Sequence, residues 1–170
     1  MQSMNSFRSC RYGVIWLSFL AALILQGIQW PELLSSFRPS WILLILIYWI
    51  LITPDQINIS TAFAVGIVTD LVYGSTLGVH SLALSVITYL VSRQNYKIFN
   101  LPIWQQVLYV IIFSWIMDMM VFGLELLIIN ITFCPEQLWN GVINGMVWPW
   151  MFLLMQKINY HLCSSKKVVF

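Results

Sequence analysis

Residues 12–30, YGVIWLSFLAALILQGIQW, form an almost unbroken apolar run, and five more follow at 40–53, 57–73, 75–92, 102–129 and 138–156. Runs of this length, separated by short polar breaks, predict an all-α chain of six helical segments. The breaks carry the residues that end or start helices. Trp30-Pro31 closes the first segment, Pro39 opens the second where a missing N–H costs nothing, and Thr53-Pro54 closes it. Asn58 or Ser60 can cap the third helix, while Gly74 interrupts the run before Ser75 and Thr76, which can cap the fourth.

Composition gives these helices their solvent. The 170 residues are 60% hydrophobic and 8% charged, with a mean hydropathy of +0.84; soluble domains carry roughly 25% charged residues. The chain is therefore expected to be an integral membrane protein. One membrane domain of about six spans fills residues 1–170 and leaves no room for a catalytic domain outside the bilayer. The second and third runs, at 14 to 17 residues, reach only about 21 to 25 Å across a core of about 30 Å. They must thin the bilayer or sit inside the bundle. The fifth, at 28 residues, should tilt.

Charge placement decides whether residues 57–92 cross once or twice, because cytoplasmic loops accumulate Lys and Arg. Two crossings with a turn at Gly74 put Arg8, Arg11, Arg93, Lys97, Lys157, Lys166 and Lys167 inside and leave Arg38 alone outside. A single crossing would strand most of that charge on the far side. Two crossings, six spans and two cytoplasmic termini are expected. Arg8 and Arg11 ahead of the first run resemble a secretory signal, but QGIQWPE follows where a small-x-small cleavage site would stand, which favours a retained span. The net charge of +2 is too small and too scattered for nucleic-acid binding. Cys10, Cys134 and Cys163 are odd in number and lack metal-ligand spacing, so neither a disulfide framework nor a metal site nor a cofactor is indicated.

Candidate chemistry lies in the polar residues inside the runs. Ala62, Gly66, Asp70 and Gly74 recur every four residues and share one helix face, which lets a neighbour approach and puts the carboxylate in the contact. At a helix C-terminus a carboxylate opposes the helix dipole and needs a partner. Two are available on that side of the membrane: the free N–H groups from Ser75 to Gly78, and Arg38. Asp118 and Glu125, seven apart with Ser114 on the same stripe, read either as a proton or cation relay or as hydrogen-bonded carboxyls holding helices in register. WNGVINGMVWPW, residues 139–150, sets Gly141 and Gly145 four apart beside Asn140 and Asn144, with Pro149 to kink the span. This face suits an interhelical contact, within the bundle or with a partner span. Trp30, Trp41, Trp104 and Trp139 flank segments as interfacial anchors do. His80 reads as a packing histidine and His161 as a solvated one. No Ser-His-Asp, metal-ligand or phosphate-loop spacing occurs, so enzyme chemistry is not expected.

Four stretches carry a resemblance to a known family: YGVIWLSFLAALILQ from Tyr12, FRPSWILLILIYWIL from Phe37, DLVYGSTLGVHSLAL from Asp70, and LWNGVINGMVWPWMFLLM from Leu138. In that order they resemble the MreD family of Gram-negative bacteria, over essentially the whole chain. The resemblance implies an inner-membrane subunit of the cell-elongation machinery that binds the single-span periplasmic protein MreC. It also implies a link between MreB filaments and peptidoglycan synthesis by RodA and its transpeptidase, in contact with membrane lipid. The family is similar in fold to the substrate-binding subunits of energy-coupling-factor transporters, which makes a small-ligand or proton-linked transporter subunit the rival function. No catalytic residues carry over. Arg38, Pro39, Asp70, Gly74, Ser75 and Gly78 match the recurring stretches and are expected to be structural.

Overall fold

The computed structural model describes residues 2–27, 39–74, 76–129 and 137–164, with side chains at 12–27, 39–74, 76–127 and 139–160. Six helices account for nearly all of them, and no strand occurs among the described residues: α1 (Gln2–Gly27), α2 (Trp41–Ile52), α3 (Ile59–Tyr73), α4 (Val79–Phe99), α5 (Ile103–Ile129) and α6 (Gln137–Ser164). Arg38, Ser75, Trp30 and Cys134 lie outside the described residues.

Helices and apolar runs do not share their ends. α1 starts well before Tyr12, and α4 and α6 continue past residues 92 and 156 through Arg93, Lys97 and Lys157. Hydropathy marks where an oily environment would stop, but backbone hydrogen bonding continues through residues of adequate helix propensity. Among the described residues the stretch Ile103–Leu127 of α5 is long and apolar enough to cross a membrane, while Tyr12–Gly27, Trp41–Ile52 and Ile59–Tyr73 are apolar but shorter.

The short second run lies inside the bundle. Every residue from Ile42 to Leu51 is buried, and a helix apolar on all sides can be surrounded by other helices. α1, α4, α6 and α5 surround it. Its aromatic end is anchored on two sides: Trp49 Nε1 donates to Ser18 Oγ of α1 at 2.7 Å, and Tyr48 meets Phe152 of α6 edge-on with ring centroids 5.6 Å apart. Ser18 passes the bond on to the Ile15 carbonyl at 2.7 Å, so the buried indole N–H and the hydroxyl are both satisfied.

α3 and α4 form the closest pair, and Gly66 explains how. A Cβ there would overlap the backbone Cα of Ser81, so only glycine permits this crossing. α5 and α6 run antiparallel, with Gln106 Oε1 accepting from Trp148 Nε1 at 3.4 Å towards one end and Ser114 Oγ accepting from Asn144 Nδ2 at 2.9 Å further along. α6 continues through Pro149, whose missing N–H would have bonded the Gly145 carbonyl. Alternating helix directions bring the end of α1, the start of α2, the end of α3 and the start of α4 together at one end of the bundle.

Candidate functional site

Asp70 organises that end. It closes α3 one turn before Gly74, whose φ of 64° places it in the left-handed region and reverses the chain. Gly78, at φ 104°, precedes α4, and this conformation too favours glycine. The turn between them aims the free N–H groups of α4 back at the fully buried carboxylate. Asp70 Oδ2 accepts from the Gly78 N–H at 2.8 Å and from Ser81 Oγ at 3.0 Å; Oδ1 accepts from the His80 N–H at 3.0 Å and from His80 Nδ1 at 2.8 Å. An acid at the end of one helix thus caps the start of the next. The unfavourable end of the α3 dipole is offset by the favourable end of α4.

The fourth helix consequently opens at Val79 with Gly78 as N-cap, not at Ser75 or Thr76. Asp70, an ionised acceptor, takes the donors that a hydroxyl cap would have used. Thr76 Oγ1 has no hydrogen-bond partner among the described residues. His80 was not foreseen as part of this site. A carboxylate only accepts, so Nδ1 carries the proton between them, and the ring lies stacked against Tyr73 with centroids 5.2 Å apart. The signal available in the sequence was the pair of glycines between Asp70 and His80, which fold ten residues into one contact.

Around this cap lies a polar chamber of about 200 Å³ to which all six helices or their ends contribute, through Gln26, Ser40, Thr69, Tyr73, His80, Asp118 and Asn140 among others. Gln26 joins three elements: its Nε2 donates to Tyr73 Oη and its Oε1 accepts from the Ile42 N–H at 3.4 Å. Asn144 of α6 likewise joins three elements, accepting from the Ser40 N–H ahead of α2 at 2.8 Å while donating to Ser114 of α5. These amides satisfy backbone donors at the start of α2 that no helical partner can reach.

Among the described residues, two oxygens in the chamber wall are left without partners. Asp118 Oδ2 and Asn140 Oδ1 are both buried and make no hydrogen bond. Glu125, seven residues beyond Asp118, is half-buried and does not line the chamber. Ser114, the third member of that stripe, is engaged by Asn144. The stripe of three is therefore not one site. Gly141 and Gly145 face α5: a Cβ on Gly141 would strike the Trp115 ring, and one on Gly145 would strike Ile111. Their surface is closed inside the chain. Among the described residues no group of three His, Cys, Asp or Glu is placed to hold a metal ion.

Comparison with known proteins assigns the chain to a family over most of its length. The family model described as rod shape-determining protein MreD matches residues 7–158. The chain belongs to the MreD family. A member from Haemophilus influenzae, the rod shape-determining protein MreD of that organism, is 36% identical over 140 residues, covering 82% of this chain and 86% of the relative. No solved structure matches the chain. Membership of the MreD family makes it a membrane protein of the rod shape-determining system.

Proposed function

We propose that the chain is a non-enzymatic, multi-pass scaffold of the bacterial inner membrane. It crosses six times with both termini cytoplasmic, and links an MreC-like periplasmic single-span protein and MreB filaments to the RodA–transpeptidase machinery of peptidoglycan synthesis. The family match over residues 7–158 carries the reading. The distribution of seven basic residues against one supports the orientation, which puts the Asp70 cap and the chamber on the periplasmic side. The use of polar residues is in keeping with it. Asp70, Gln26, Asn144 and Ser18 each tie one helix to another, as a rigid platform requires.

The chamber favours one rival, a small-ligand or proton-linked transporter subunit similar to the substrate-binding subunits of energy-coupling-factor systems. Its volume ranks that reading second: about 200 Å³ falls below the roughly 300–1,000 Å³ that drug-sized ligands occupy. Deleting the gene separates the two. The scaffold reading expects round cells that regain rod shape when the chain is resupplied. Cells that stay rod-shaped but lose uptake of a small nutrient would contradict it.

A further inference from the structure

The chamber has a chemical polarity. Several of its hydrogen-bond donors are already used: Gln26 Nε2 on Tyr73, the Ser40 N–H on Asn144, and Thr69 Oγ1 on the Val65 carbonyl at 2.8 Å. Two of its buried acceptors are not. Asp118 Oδ2 from α5 and Asn140 Oδ1 from α6 are buried without partners among the described residues. His80, with Nδ1–H held by Asp70, offers the lone pair of Nε2 when neutral. Buried acceptors are costly to leave empty, and a carboxylate inside a membrane span is the costliest of them. An occupant must therefore donate several hydrogen bonds, and positive charge on it would match Asp118.

We propose that this chamber binds a small cationic nitrogen group, an ammonium or a guanidinium, held by Asp118 Oδ2 and Asn140 Oδ1. The volume of about 200 Å³ admits one such group with a few waters and excludes anything the size of a nucleotide. An anion is disfavoured by Asp118, and an apolar ligand would leave both oxygens unsatisfied. The group can arrive as a free small amine or as the lysine or arginine side chain of a protein partner; the recognition chemistry is the same. The inference rests on the chamber alone, so its failure would leave the scaffold reading standing.

The test uses the purified full-length protein in detergent micelles, with thermal unfolding followed during titration of methylammonium chloride. Tetramethylammonium chloride at matched ionic strength is the control, because it carries the charge without N–H donors. The expected result is a saturable rise in the unfolding midpoint with methylammonium and none with the control. Asp118→Asn should abolish the rise; the substitution keeps the size of the side chain and breaks no bond made by Oδ2. Asn140→Ala provides an independent check on a second helix and should raise the half-saturating concentration about tenfold, the loss of one bond to a charged donor. A photoreactive side chain at Val121, which lines the chamber, assigns the source in intact cells: a crosslinked polypeptide identifies a partner's side chain, and a low-mass adduct a free amine. Equal midpoints in the two salts, or a wild-type rise in both variants, would overturn the proposal.

Discussion

Asp70→Ala removes one side chain and leaves four donor groups facing a void: the Gly78 and His80 N–H groups, His80 Nδ1 and Ser81 Oγ. All four converge on a residue that is fully buried, where water cannot easily replace the lost acceptor. Each stranded donor costs about 1 to 3 kcal/mol in full isolation. They share one site and relax together, so the sum is not the estimate. Breaking a buried charged cluster by removing one partner typically costs about 3 to 5 kcal/mol, and that is the expected loss. Asp70→Asn keeps one acceptor oxygen but turns the other position into a donor against donors, and should fall between alanine and wild type. The assay is the amount of monodisperse protein recovered from membranes after graded heating in mild detergent. Asp118→Asn is the internal control, since Oδ2 there has no hydrogen-bond partner among the described residues. The order of stability expected is Asp118→Asn close to wild type, then Asp70→Asn, then Asp70→Ala. Asp70→Ala surviving as well as wild type, or Asp118→Asn failing as badly as Asp70→Ala, would refute the assignment of Asp70 as the cap that joins α3 to α4.

Other substitutions probe the close crossings. Gly66→Val should prevent α3 from reaching α4, because its first carbon meets Ser81 backbone that cannot rotate away; membrane levels should collapse, and normal accumulation would show that the helices can separate cheaply. Gly145→Leu meets Ile111 and Val107, which are side chains with some freedom, so its loss should be about 1 to 3 kcal/mol as in other overpacked sites; unchanged heat stability with selective loss of a partner would mean that this face opens outward. Ser18→Ala strands the buried Trp49 indole N–H and should cost about 1 to 3 kcal/mol, read in the same heating assay, with no loss meaning that the indole finds another acceptor. For orientation, an impermeant thiol reagent added outside spheroplasts should reach Cys134, while Cys10 and Cys163 should label only once the membrane is opened; external labelling of Cys163 would contradict six crossings.

How much of this could be read from the sequence differs from element to element. The run from Trp41 to Ile52 is apolar at every position and short, which left a thinned bilayer or a place inside the bundle open, and the structure places it inside the bundle. Asp70 was readable as well: a carboxylate just before a glycine turn has few places to find donors, and the Gly78 N–H was among those named. His80 was missed, because its role comes from the geometry of a turn between two left-handed glycines, of which the sequence shows only the glycines, and not from spacing along a helix. Asp118 and Glu125 show the limit of helical periodicity. Seven residues apart, they share a face, but the rise of about 10 Å between them is enough to put one in the chamber and leave the other outside it. Helix ends escaped for a simpler reason: hydropathy reports solvent, and the backbones of α1, α4 and α6 stay helical through polar sequence.

Recovery of the chain from its native membrane in mild detergent, followed by mass spectrometry of everything that comes with it, tests the central claim most directly. The account predicts a single-span periplasmic protein of the MreC kind in near-equal amount, with components of the peptidoglycan-synthesising complex behind it. Recovery instead with the ATP-hydrolysing subunits of an uptake system, and no MreC-like protein, would contradict it.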